Sequence, residues 1–186
     1  MQLKIFCLIA AAAVLLAACG ANADEPSNSV TDIQAAALIQ AEGTGFIGYV
    51  VKADGERILV VSPDRKDYSA QGGQINYYAA DWFRGAPSDI EVGMKVEAWT
   101  LGGELAESYP AQGTLERISV LNDSQPKGAE LTEDEAVNRA LAALETDESH
   151  FTVVKSAAYD SAASEWTVYV LNEDRDHVIP IKVSER

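Results

Sequence analysis

The residues most able to recognise a ligand stand in two short stretches. Glu107, Ser108 and Tyr109 precede Pro110, and a carboxylate, a hydroxyl and a phenol in one loop can receive a cation or a peptide. The same residues also suit a packed turn in which Glu107 and Ser108 cap backbone amides. Tyr78 and Trp82, with Tyr77 and Phe83 beside them, offer aromatic faces like those that line grooves on OB-type barrels. Such rings serve equally well to fill a barrel core. Glu173-Asp174-Arg175-Asp176-His177 concentrates oxygen donors, yet calcium takes roughly 6–8 oxygens and its loops use a glycine for the sharp bend. This run lacks the glycine and carries Arg175, so a solvated hairpin loop is expected there, and no metal or cofactor site is assigned.

Covalent catalysis finds little support. His150 and His177 are the only histidines, and neither stands in a His-Glu-x-x-His motif. No serine occupies a Gly-x-Ser-x-Gly elbow. Acidic residues are plentiful, but a glycosidase needs two carboxyls at a fixed separation across a cleft, which abundance does not supply. A non-enzymatic chain is the expectation.

The N-terminus carries a different kind of chemistry. Lys4 precedes a nearly unbroken apolar run from Ile5 to Leu16, followed at once by Ala17, Ala18 and Cys19. A charged start, an apolar stretch of roughly 7–15 residues and small residues before a cut mark a secretory signal. A membrane-spanning helix needs about 20 apolar residues, and here Gly20, Asn22, Asp24 and Glu25 turn the chain polar too early. Leu16-Ala17-Ala18-Cys19-Gly20 resembles the lipobox of bacterial lipoproteins. That resemblance implies cleavage before Cys19 and a diacylglyceryl group on its sulfur, bearing fatty acyl chains such as palmitate. The alternative is an ordinary signal peptide with an incidental cysteine. Because each buried CH₂ contributes about 0.8 kcal/mol, two acyl chains would hold a soluble domain at the membrane almost permanently.

Composition fits an exported, tethered chain. Of two cysteines, Cys7 lies in the segment that would be discarded. With Cys19 acylated, no intramolecular disulfide remains, and the fold must be held by its core. A hydrophobic content of 47% is ordinary for a folded chain, which excludes wholesale disorder. The formal net charge of −15 repels phosphate backbones, so nucleic acid is a poor partner. Anionic headgroups are repelled as well, so attachment to a membrane requires a covalent anchor. Cations, basic peptides and polyamines remain compatible, although solubility alone accounts for such a surface.

The elements that must position these residues fall into two blocks. Residues 1–18 read as the signal peptide and 19–44 as a lipid-anchored tether, polar and small over 20–30. A flexible segment of that length reaches about 18 Å. A short helix is expected over 31–42, capped by Thr31 or Asp32, with Ile33, Ala36, Ala37 and Ile39 on its apolar face. Phe46 to Lys52 and Arg57 to Ser62 are strands joined by Asp54-Gly55, the dipeptide of a tight hairpin turn. Tyr77 to Phe83 suits a strand or a short helix, and Lys95 to Leu101 and Thr114 to Leu121 are further strands. Five short antiparallel strands over 45–122 suit a small, partly open OB-like barrel. Residues 123–129 read as a linker.

A capped helix follows the linker. Thr132 and Glu135 form a capping box, Leu131 can staple against Ala136, and Glu133 and Asp134 complement the helix dipole. Ala136, Val137, Ala140, Leu141 and Leu144 make its apolar face. Three strands are expected after it, over 151–160, 166–172 and 177–183, with Pro180 placing the last at an edge. Residues 130–186 are thus a small α-β-β-β domain, and the fold class is mainly β with an α+β second part.

Gly48-Tyr49-Val50-Val51, Arg57-Ile58-Leu59-Val60-Val61, Trp82-Phe83, Val92-Gly93-Met94-Lys95-Val96 and Glu107-Ser108-Tyr109-Pro110-Ala111-Gln112 resemble the YobA-like lipoproteins of Gram-positive bacilli. The resemblance covers about 45–122 and brings no catalytic residues, because that family has no established activity. The Thr-x-x-Glu-Ala opening of the last block, with strands and a Trp after it, is similar to PepSY-like envelope domains. Together these readings imply a lipoprotein on the extracytoplasmic face of the cell membrane. It would be a non-catalytic binding or accessory module for an envelope protein, peptide or wall component. The alternatives are a PepSY-like regulator or inhibitor of an exported protease, and a cation-binding envelope protein. Mass spectrometry of the matured chain is expected to find the diacylglyceryl thioether on Cys19; a free thiol there, or a retained leader, contradicts the anchor.

Overall fold

The structure, a computed structural model, describes residues 44–121, 125–144, 150–171 and 176–185. The leader, Cys19 and the helix expected over 31–42 lie outside these residues, as do residues 173–175 of the acidic loop.

Strand β1 (Phe46–Asp54) turns through Gly55 into β2 (Arg57–Lys66). The turn needs a positive φ, 60° at Gly55, which glycine adopts without steric cost. The aromatic segment is a strand, β3 (Tyr77–Arg84), followed by β4 (Lys95–Thr100) and β5 (Ala111–Val120). They close into a barrel in the order β1-β2-β3-β5-β4, with β4 pairing back onto β1 from Phe46↔Ala98 to Tyr49↔Lys95. The OB-like barrel expected from the sequence is therefore present, and it is closed rather than partly open. Five strands cannot alternate direction all the way round a ring. One pair must run parallel, and it is β3 with β5, from Asp81↔Ala111 to Arg84↔Thr114.

Strand alternation sends side chains to two different cores. Val50, Ile58, Val60, Phe83, Val96 and Ala98 are buried together, with Leu115, Ile118 and Val120 packed against them. These residues come from all five strands, so they fill the barrel interior. Their neighbours in sequence on β1, β2 and β3 point outward, yet Tyr49, Val51, Leu59, Val61, Tyr78 and Ala80 are buried too.

What covers them is the C-terminal part of the chain. Helix α1 (Glu133–Ala142) begins at the expected capping box, with the Thr132 N–H donating to Glu135 Oε2 at 2.9 Å. Strands β6 (Val154–Asp160), β7 (Glu165–Leu171) and β8 (Val178–Ser184) form an antiparallel sheet with β7 in the middle, which leaves Pro180 on an edge strand. Leu131, Ala136, Val137, Ala140 and Leu141 join Val154, Trp166, Val168 and Val170 and the outward residues of β1–β3 in one apolar cluster. The barrel and the α-β-β-β layer thus share a core.

Polar contacts fix the register of that packing. The Tyr49 hydroxyl donates to Glu133 Oε1 at 3.0 Å, and Asn138 Nδ2 donates to the Val92 carbonyl at 2.7 Å. Lys155 Nζ donates to the Pro63 carbonyl and lies 4.9 Å from the Tyr78 ring centre. Gly93, at φ 104°, lets the helix approach: a Cβ there would lie 2.2 Å from the Asp134 carbonyl oxygen. Glu185 closes the layer by accepting from the Glu130 N–H at 2.7 Å and from the Tyr159 hydroxyl at 3.0 Å.

Candidate functional site

OB-type barrels commonly take their ligands on the face of strands 2 and 3 and on the adjoining loops. Here the outer face of β2 and β3 is already occupied by the protein itself. Tyr78 is buried at 4% exposure in the shared core. Trp82 packs against the edge of that core, with the Arg57 guanidinium 5.2 Å from its ring centre. Phe83 fills the barrel interior. The aromatic side chains of Tyr78 and Phe83 are therefore packing residues.

The loops tell a different story. Tyr109 is 46% exposed, and its hydroxyl donates to the Tyr78 carbonyl at 2.8 Å. Its ring meets Tyr77 at 5.3 Å between centroids and Phe151 at 5.8 Å, and Tyr77 in turn meets Tyr68 at 5.3 Å. Four rings from four separate parts of the chain make a continuous aromatic row. Tyr68 and Tyr109 are its exposed members, while Tyr77 and Phe151 are half-buried. Neighbouring rings at 4.5–7 Å support one another by about 0.5–1.5 kcal/mol per pair, so the row is self-bracing.

The loop that carries Tyr109 is locally closed. Ser108 Oγ donates to the Pro110 carbonyl at 2.7 Å, the Ser108 N–H donates to the Ala106 carbonyl at 2.9 Å, and the Ala106 N–H donates to the Gln112 carbonyl at 2.8 Å. The Tyr109–Pro110 peptide bond is cis. Glu107 is exposed on this loop. Of the residues singled out in the sequence, Glu107, Ser108 and Tyr109 are thus together at the surface. Tyr78 meets Tyr109 through its backbone carbonyl, while its side chain lies in the shared core and Trp82 packs against that core.

Asp81 is the chemical oddity of the neighbourhood. Its pairing with Val60 and its alternation with Phe83 place it on the interior face of the barrel wall, at 5% exposure. Burial pushes its carboxyl up to about 6, against the opposing pull of Lys66. Its charge also helps raise the Tyr77 phenol above its usual range, after burial and the neighbouring Tyr109 and Tyr68. A charged residue at an apolar position of an aromatic strand was the available signal for it. Tyr68 and Phe151 gave no such signal, because residues this far apart in sequence become neighbours only through the fold.

Among the described residues, no three His, Cys, Asp or Glu side chains gather as a metal-binding group. At the end of the acidic loop, His177 Nδ1 lies 2.7 Å from Asp176 Oδ1, with both side chains exposed.

Residues 47–122, the barrel, match the model of a family described as a protein of unknown function, DUF3221. No curated protein and no solved structure gives a match.

The raised carboxyl of Asp81 has a consequence for stability. In the unfolded chain it ionises near pH 3.8, and in the fold near 6. Ionisation therefore costs stability progressively between about pH 4 and 6 and by a constant amount above that. Asp81→Asn is expected to raise stability to urea by roughly 1–3 kcal/mol at pH 7 and to leave it unchanged below about pH 4. A variant that loses stability at pH 7 would show instead that the charge is favourably held.

Proposed function

We propose that this chain is a non-catalytic binding lipoprotein of the cell envelope, held to the outer face of the membrane through an acylated Cys19. The observation that carries the binding reading is the row of Tyr68, Tyr77, Tyr109 and Phe151, which keeps two phenols exposed on a braced loop surface. Loops on a rigid scaffold are where binding residues concentrate. Tyrosine suits such a surface because its ring offers contact area at low entropic cost, and its hydroxyl offers a polar handle. Exposed Glu107 adds an acceptor beside the row.

A wall polymer bearing sugars and short peptides fits this chemistry. Ring faces stack on the C–H faces of sugars, and phenols and a carboxylate meet amides and hydroxyls. The formal charge of −15 discourages polyanionic partners, which directs the reading toward neutral or basic polymers. The tether of residues 19–44 would let the folded part work near the membrane surface, its 20–30 stretch alone reaching about 18 Å.

Co-sedimentation with purified cell wall tests the reading. The mature chain carrying Cys19→Ser, which keeps it in solution, is expected to pellet with wall stripped of its anionic polymers. Tyr109→Ala should raise the apparent Kd from the sedimentation isotherm about tenfold, corresponding to ~1.4 kcal/mol. Equal retention of both chains, or retention of neither, contradicts the proposal.

A further inference from the structure

A second surface is built by the same connecting segment. Residues 101–106 and the start of β5 enclose an open groove of about 730 Å³, with Arg84 at the end of β3. That volume falls within the ~300–1,000 Å³ typical of small-ligand sites. Leu101 and Leu105 line it at 59% and 45% exposure. A single exposed leucine means little, but two facing one groove form a small apolar patch.

These leucines are held by a defined turn. Gly102 and Gly103 lie at φ 65° and 71°, a conformation other residues rarely adopt, and the Glu104 N–H donates to the Leu101 carbonyl at 3.3 Å. The groove also coincides with a break in strand pairing. Pairing of β4 with β5 ends at Thr100↔Leu115, and the next contact on that side is the isolated bridge Ala106↔Gln112. Gly113 and Thr114, between these two contacts, line the groove. Of the charged lining residues, Arg84 is the cation and Glu104 the anion. Arg84 reaches Gln112 Oε1 at 3.5 Å and is otherwise exposed, so its guanidinium remains open to a further acceptor.

We propose that this groove is a peptide site. It takes an extended segment with one apolar side chain against Leu101 and Leu105 and one carboxylate on Arg84. Interrupted pairing gives backbone groups for a short strand-like segment to meet, as in strand-addition recognition. Apolar walls select the side chain, and a guanidinium favours a carboxylate because it can donate two parallel hydrogen bonds. A single cation within a strongly acidic molecule admits one negative charge and rejects a polyanion. This site is independent of the aromatic row.

Methyl NMR of the mature Cys19→Ser chain, labelled at leucine, tests it with N-acetyl-Ala-Leu as free acid and as amide, and with N-acetyl-Leu-Asp amide. Saturable shifts of the Leu101 and Leu105 methyls are expected with the free acid. The corresponding amide should bind about fivefold more weakly. The Leu-Asp peptide tells whether a side-chain carboxylate serves as well as a terminal one; binding tighter than the Ala-Leu amide by either acid supports the site. Arg84→Gln should abolish the difference between acid and amide, and Leu105→Ser should weaken both, with thermal melts checking that each variant folds. No saturable shift, binding of neither acid tighter than the Ala-Leu amide, or methyl shifts that depend on protein concentration without peptide would overturn the proposal. The last result would mean that a second copy fills the groove. Because the readout is at Leu101 and Leu105, it stands or falls separately from wall binding by Tyr109.

Discussion

Strands β1, β2 and β3 carry apolar side chains on both faces, and water must be kept from both. The inner set, such as Val50, Ile58 and Phe83, is satisfied by closing the barrel. The outer set, including Tyr49, Val51, Leu59, Val61 and Ala80, cannot be satisfied by the barrel at all. Helix α1 and the three-stranded sheet meet that need, and they in turn bury Leu131, Val137, Trp166 and Val168 against it. The described residues contain no cysteine and so no disulfide, which leaves this mutual burial as their principal source of stability.

The same constraint decides where a ligand can go. The face that OB-type barrels often offer to ligands is spent on internal packing, so on the proposed binding reading recognition falls to the connecting loops. The β2–β3 connection supplies Tyr68, the β4–β5 connection supplies Tyr109, and the segment before β6 supplies Phe151. Tyr77, at the start of β3, joins them into one row. Placing rings on loops anchored to a doubly packed scaffold gives a stiff surface without requiring long regular elements there. Asp81 is the exception within the scaffold, a carboxyl at an apolar position whose burial pushes it up to about 6 and makes its charge a cost to the fold above that pH.

Much of the architecture was legible in the residues because local signals agreed with one another. Asp54-Gly55 marked the hairpin, and Thr132 with Glu135 marked the helix start; both are where they were expected. The unbroken runs Tyr49-Val50-Val51 and Ile58-Leu59-Val60-Val61 were read as strands. Their lack of polar alternation is a mark of burial on both faces, but the strand reading did not use it, and the covering layer was not expected. The parallel β3–β5 pair was not visible, since direction follows from closing an odd ring rather than from any residue. At the surface, Glu107, Ser108 and Tyr109 were found as a contiguous motif. Tyr68, Phe151, Leu101 and Leu105 were missed because single rings and leucines are uninformative until a fold gathers them. Tyr78 and Trp82 were open between ligand face and core, and only the position of the C-terminal layer separates Tyr78 from Tyr109.

Native-state hydrogen exchange compares the two sides of the shared core directly. If each side depends on the other for burial, the amides of Val60 in β2 and Val168 in β7 should exchange through the same opening, with one free energy that falls together in urea. A Val168 amide that exchanges through a much cheaper opening, while Val60 stays protected, would mean that the barrel stands without its cover.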